Sequence, residues 1–139
     1  MSPKRHKYAG ASAIVTTACD PERIAHLAEE AAKRASSVQV MIRLEEAHPG
    51  RLTYSARNRL MGGRIEFMTF TVNCDEVDGR RRISTRILTY KMKRNWILVV
   101  PLPWRMIAWP NYRNFMYALR DLVVAEDQKA DASVIERAI

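Results

Sequence analysis

The spacing of apolar residues changes along this chain, and each change marks an element. Residues 11 to 18, ASAIVTTA, are β-branched and read as a strand, after which CDPER gives a helix start. Asp20 can cap, Pro21 suits the first helical position and Glu22 suits the positive end of the helix dipole. Ile24, Leu27, Ala28, Ala31 and Ala35 then recur on one helical face, and the helix is expected to end near RASS. From there the period falls to two. Val38, Val40, Ile42 and Leu44 alternate with Gln39, Met41, Arg43 and Glu45, the signature of a half-buried strand. HPG makes a turn, and from Arg51 the polar Thr53, Ser55, Arg57 and Arg59 lie opposite Leu52, Tyr54, Ala56 and Leu60 in a second strand.

MGGR turns the chain again, and RIEFMTFTVNC is rich in strand formers with an imperfect alternation, which implies a bulge or two covered faces. The Asp78-Gly79 pair in DEVDGRRR is a hairpin signal. RISTRILTYKM continues as a strand, with Ser84, Arg86, Leu88, Tyr90 and Met92 on one face and Ile83, Thr85, Ile87 and Thr89 on the other. NWILVV is expected as the last strand, stopped by Pro101 and Pro103, which cannot donate to a ladder. Past Pro110 the helical period returns: Tyr112, Phe115, Met116, Leu119, Leu122 and Val123 form one apolar stripe of a helix over about 111 to 127. The pattern predicts a basic tail over 1–8, one α+β domain over 9–128 and a polar C-terminal tail over 129–139, with no internal repeat.

Composition narrows the class. A chain of 139 residues with 47% hydrophobic and 27% charged residues is long enough for one domain with a substantial core. Cys19 and Cys74 stand alone and far apart, so neither a disulfide framework nor a zinc site is indicated, and a reducing cytoplasm is the expected compartment. The longest apolar run, WILVVPLPW, is nine residues with two prolines. A helix needs about 20 to span a bilayer.

The net charge of +8 is concentrated in one segment. Between Gly79 and Arg120 there is no Asp or Glu but ten Lys and Arg. Such asymmetry suits an anionic partner, while a solvated face that keeps the protein soluble accounts for it equally well.

The strand-helix opening ASAIVTTACDPERIAHLAEEA, the meander of about five further strands and the closing helix PNYRNFMYALRDLV together resemble the helix-grip fold of the START-like, polyketide cyclase/dehydrase superfamily. That resemblance implies an antiparallel sheet wrapped around the C-terminal helix, with an internal cavity for a hydrophobic small molecule. An apolar or aromatic ligand would then meet Met68, Tyr90, Trp96, Trp104, Trp109 and Phe115, and an acidic group on it would meet an inward-facing Arg57 or Arg86. The tryptophans serve equally as core beneath the helix end.

A competing expectation is a nucleic-acid surface built from Arg81, Arg82, Lys91, Lys93 and Arg94, with nearby aromatics stacking on bases, although no helix-turn-helix, RRM, KH or zinc-finger pattern accompanies it. Trp beside Lys and Arg also suits an anionic membrane surface, and an exposed sheet edge suits a homodimer. No catalytic signature is present: glycine-rich phosphate loops and GxSxG elbows are missing, and His6, His26 and His48 lack metal-ligand spacing. No cofactor or metal is expected.

Overall fold

The computed structural model describes residues 5–137. In chain order these form β1 (Ser12–Thr17), α1 (Pro21–Ala35), β2 (Val40–His48), β3 (Arg51–Asn58), a 3-10 turn (Arg59–Met61), β4 (Glu66–Val77) and β5 (Arg80–Tyr90). There follow four two-residue strands, β6 (Met92–Lys93), β7 (Trp96–Ile97), β8 (Val100–Pro101) and β9 (Arg105–Met106), then α2 (Trp109–Glu126) and β10 (Asp131–Ile135). The main sheet is six-stranded and antiparallel, in the order β10-β1-β5-β4-β3-β2. The α+β class, the helix after the first strand and the long C-terminal helix are as the sequence pattern predicts.

Local chemistry sets the boundaries. The Asp20 carboxylate accepts from the Arg23 amide at 2.8 Å, which caps α1 ahead of Pro21. Between β4 and β5 the two loop residues Asp78 and Gly79 both have positive φ, 52° and 77°, the backbone of a primed hairpin turn. Both helices cover the same face of the sheet. The alanines of α1 (Ala28, Ala31, Ala32, Ala35) let α2 approach closely, and Tyr112, Phe115, Met116, Leu119 and Val123 of α2 are fully buried. Tyr54 and Phe70 of the sheet meet Tyr112 and Phe115 with ring centroids 4.8 to 5.7 Å apart, filling the space between the central strands and α2.

Three bulges shape the sheet: Glu45 in β2, Phe67 in β4 and Leu88 in β5 each have no partner in the neighbouring strand. An extra residue bends its strand and reverses the facing of the residues beyond it. Past Leu88 the expected faces are therefore exchanged: Thr89 lies beside Thr69 on the open face, hydroxyls 2.6 Å apart, and Tyr90 stands opposite buried Met68.

Several expectations need correction. Residues 95–100 do not join the sheet. Leu98 turns the chain with φ 55° and β7 pairs only with β8, because the apolar run has no alternation that would give it a buried face and prolines block its ladder. The sixth strand is instead β10, inside the expected C-terminal tail, where Ala132 and Val134 turn inward and the strand pairs with β1 from Ser12 to Thr16. Asp127 directs it there. Its carboxylate accepts from the Ala18 amide (2.9 Å) and the Thr17 hydroxyl (2.8 Å), which hold it below the usual carboxylate range. In the expected N-terminal tail, residues 1–4 lie outside the described residues, while Tyr8 stacks on Trp109 at 4.1 Å. Along β2, Val40 is buried and Ile42 half-buried, but Leu44 is exposed and Val38 precedes the strand, since β2 is an edge that the helices cover only at its start.

One polar chain crosses the core. The Ala13 amide donates to Thr85 Oγ1 (2.9 Å), the Thr85 and Tyr112 hydroxyls lie 2.8 Å apart, and Tyr112 donates to the Ala11 carbonyl (2.9 Å). With the Tyr112 proton directed at Ala11, the Thr85 proton points to Tyr112 and every member is satisfied.

This packing can be measured in two ways. Phe115→Ala and Leu119→Ala should each lose about 2–5 kcal/mol in denaturant unfolding, through the cavity they leave. A loss below about 0.5 kcal/mol at both would mean that α2 does not pack on the sheet. Tyr112→Phe keeps the ring but strips the Ala11 carbonyl of its donor, and should cost about 1–3 kcal/mol. An unchanged midpoint would show that the hydroxyl carries no stability.

Candidate functional site

Five segments converge at one end of the molecule: the start of β2, the end of β3, the start of β4, the β6–β9 ladder and the start of α2. Backbone bonds hold the ladder in place, with the Lys91 amide donating to the Phe67 carbonyl and the Ile107 amide to the Lys91 carbonyl, both at 2.9 Å. Asn111 fixes the other wall by donating from its side chain to the Ala35 carbonyl at the end of α1 (2.9 Å). Between these walls lies a groove of about 440 Å³. Val40, Leu60, Phe67, Met106 and Ile107 give it apolar walls, and Lys93, Asn95 and Arg105 a polar edge. Phe67 reaches it because it is a bulge residue.

Lys93 and Arg105 are direct partners across the β6–β9 ladder, both exposed, and among the described residues neither has a carboxylate in ion-pair contact. Like charges at directly opposed positions repel. The start of α2 beside them has no side-chain cap, since its N-cap is Ala108 at φ 68°. The local field is positive and unneutralised.

The residues expected to bind a ligand are dispersed. Met68 and Phe115 are buried within the packed core. Arg57 and Arg86 do not point inward: both lie on the open face, away from the helices. Arg57 is held there by Glu45 (2.8 Å) and Glu66 (3.2 Å). The Ser55 hydroxyl, then Arg57 and Arg43, in turn hold the Glu45 carboxyl below its usual range. Arg86 lines a broad polar hollow with Arg5, Asn73, Asp75, Ser84 and Tyr90. The Tyr90 hydroxyl also accepts from the His6 amide at 3.1 Å.

Trp104, Arg105, Met106 and Trp109 do come together, around a depression of about 220 Å³ closed by His6 and Tyr8. His6 Nδ1 accepts from the Tyr8 amide, which leaves Nε2–H for the Trp104 carbonyl at 3.3 Å, and burial lowers the pKa of this imidazole. Trp96 is remote from that cluster and 59% exposed on the β7–β8 hairpin.

The cations of the alternative surface are also spread apart. Arg81 and Arg82 alternate along β5, opposite Glu76 and Asp75. Lys91 and Lys93 are exposed near the groove, and Arg94 stacks on Trp104 at 4.5 Å with its Nε buried and unpartnered. Among the described residues no three His, Cys, Asp or Glu side chains gather as a metal site, and no helix is long and apolar enough to cross a membrane.

The ligand residues expected from the sequence include none of Val40, Leu60, Phe67, Met106 and Ile107, which give the groove its apolar walls. Their convergence depends on the β4 bulge and the 3-10 turn. Comparison with protein-family models, with curated proteins and with solved structures gave no match.

Trp109 and Trp104 should separate in stability. Trp109 is half-buried, stacked on Tyr8 and tilted against Tyr112, so Trp109→Ala should cost about 1–3 kcal/mol in urea unfolding. Trp104 is exposed, and its removal should cost less than about 1 kcal/mol. The reverse order would contradict the stacking described.

Proposed function

We propose that this protein binds an amphipathic anion, an apolar or aromatic body carrying a carboxylate or similar group, in the groove between the sheet end and the start of α2. The observation that carries the reading is the Lys93–Arg105 pair, two opposed cations that have no carboxylate partner among the described residues and stand at the rim of an apolar groove. An anion there would relieve their repulsion. Phe67, Met106 and Ile107 would take the apolar body, which fits a site that is mostly apolar with a few placed charges. Kinship with the helix-grip proteins is part of this proposal, and it differs from that expectation in one respect: the ligand lies at the rim of the core, because aromatic side chains fill its centre.

A thermal-shift series with medium-chain fatty acids, naphthoic acid and their uncharged amides tests it. A ligand at one hundred times its Kd adds about 2.7 kcal/mol to the folded state, so acids should raise Tm and amides should do so far less. Lys93→Gln with Arg105→Gln should remove that difference while leaving the unliganded Tm nearly unchanged. Equal shifts for acids and amides, no shift for any, or full binding by the double variant would overturn the reading.

A further inference from the structure

The β7–β8 hairpin is the most exposed apolar feature among the described residues. Leu98 and Val99 at its tip are 93% and 87% exposed, and Trp96, Ile97 and Val100 beside them are between 58% and 60% exposed. Leu98 also occupies a left-handed conformation that Gly, Asn or Asp would take at less cost. A solvent-exposed turn has no folding reason to place Leu there. Contiguous apolar surface of this kind marks an interaction site.

We infer that this hairpin docks on an anionic lipid bilayer, with its tip in the interfacial layer and the surrounding cations on the headgroups. Charge identifies the occupant. Lys91, Lys93, Arg94 and Arg105 lie in the segment that carries the hairpin, and none has an ion-pair partner among the described residues. A second copy meeting the hairpin about a two-fold axis would bring these cations against one another, whereas anionic headgroups would neutralise them. Nucleic acid would satisfy the cations but leave the apolar tip in water.

The dimensions agree as well. Trp96 to Leu98 spans about 7–10 Å of extended chain, the depth at which interfacial segments sit, and Trp96, paired with Pro101 at the hairpin base, stands where tryptophan is favoured, between the apolar tip and the charged segment. Shallow insertion also suits the backbone. An isolated two-pair ladder has free N–H and C=O groups that hydrocarbon would not tolerate, and Pro101 removes one of those donors.

The test is co-sedimentation of the full chain with vesicles of phosphatidylcholine alone or with about one-third phosphatidylserine. Binding should require phosphatidylserine, fall as salt rises from about 0.05 to 0.5 M, and bring a blue shift in tryptophan emission. Leu98→Asp with Val99→Asp should reduce partitioning at least about tenfold, since it replaces the inserted groups with charges. This variant should keep the wild-type Tm and the acid-dependent thermal shift, which separates failure at the hairpin from failure at the groove. No binding to anionic vesicles at low salt would overturn the inference. So would binding that the double variant leaves intact, or a solution dimer that the variant dissociates.

Discussion

The structure depends on a polar chain of four groups buried under α2. At the N-terminal end of β1, the Ala11 carbonyl and Ala13 amide are bonded by side chains, because β1 and β5 pair as strands only from Ile14 and Ser84 onward. Left unpaired in the interior, each would cost about 1–3 kcal/mol. Thr85 and Tyr112 supply the missing partners, and in doing so they join β1, β5 and α2 at one point. Apolar contacts would let α2 slide. A hydroxyl that must reach both Thr85 and Ala11 fixes its position and rotation, and with them the direction from which Phe115 and Leu119 enter the core.

That fixed position decides where a ligand could lie. With Tyr112 and Phe115 held against Tyr54 and Phe70, the volume beneath the centre of α2 is filled by rings. The groove opens at the helix start, where the bulge at Phe67 turns a large ring toward the rim. The groove is thus a consequence of a full core and an interrupted ladder.

Helix faces, the Asp-Gly turn and most strand positions were legible because each rests on a local rule: capping by Asp20, a primed turn at Asp78-Gly79, a stripe repeating every three to four residues from Tyr112. The pattern implied a bulge near β4, but its place, and those of Glu45 and Leu88, are set by cross-strand register, which one strand's sequence does not contain. The errors at the two ends of the sheet share a cause. NWILVV is apolar enough for a strand but turns back on itself at Leu98 and pairs with no strand of the sheet, while the weaker DASVI joins β1 because Asp127 binds Thr17 and Ala18 and returns the chain there. Edge position, set by tertiary contacts, outweighed strand propensity. The site was legible only as composition, cations with aromatics between 90 and 110, since Arg57 and Arg86 owe their open-face positions to sheet register.

The segment from Lys91 to Met106 differs in kind from the domain that carries it. Its links to the sheet include the Lys91–Phe67 backbone bond, and its own folding includes the Leu102–Asn95 bond, the short β6–β9 and β7–β8 ladders and the stacking of Arg94 on Trp104. Met106 anchors it in the core, but the apolar side chains at the hairpin tip face water, so the hairpin itself is ordered by a few hydrogen bonds rather than by burial. Regions with few buried apolar contacts open at lower free energy than the global unfolding that the α2 core resists. Lys93 and Arg105 face each other inside this weakly held unit, and their repulsion acts on the ladder that joins them. An anion between them would therefore do two things at once: fill the rim of the groove and tighten the base of the hairpin. The proposed groove and the proposed docking hairpin thus meet at that single cross-strand pair, and an anion in the groove and anionic headgroups would compete for it.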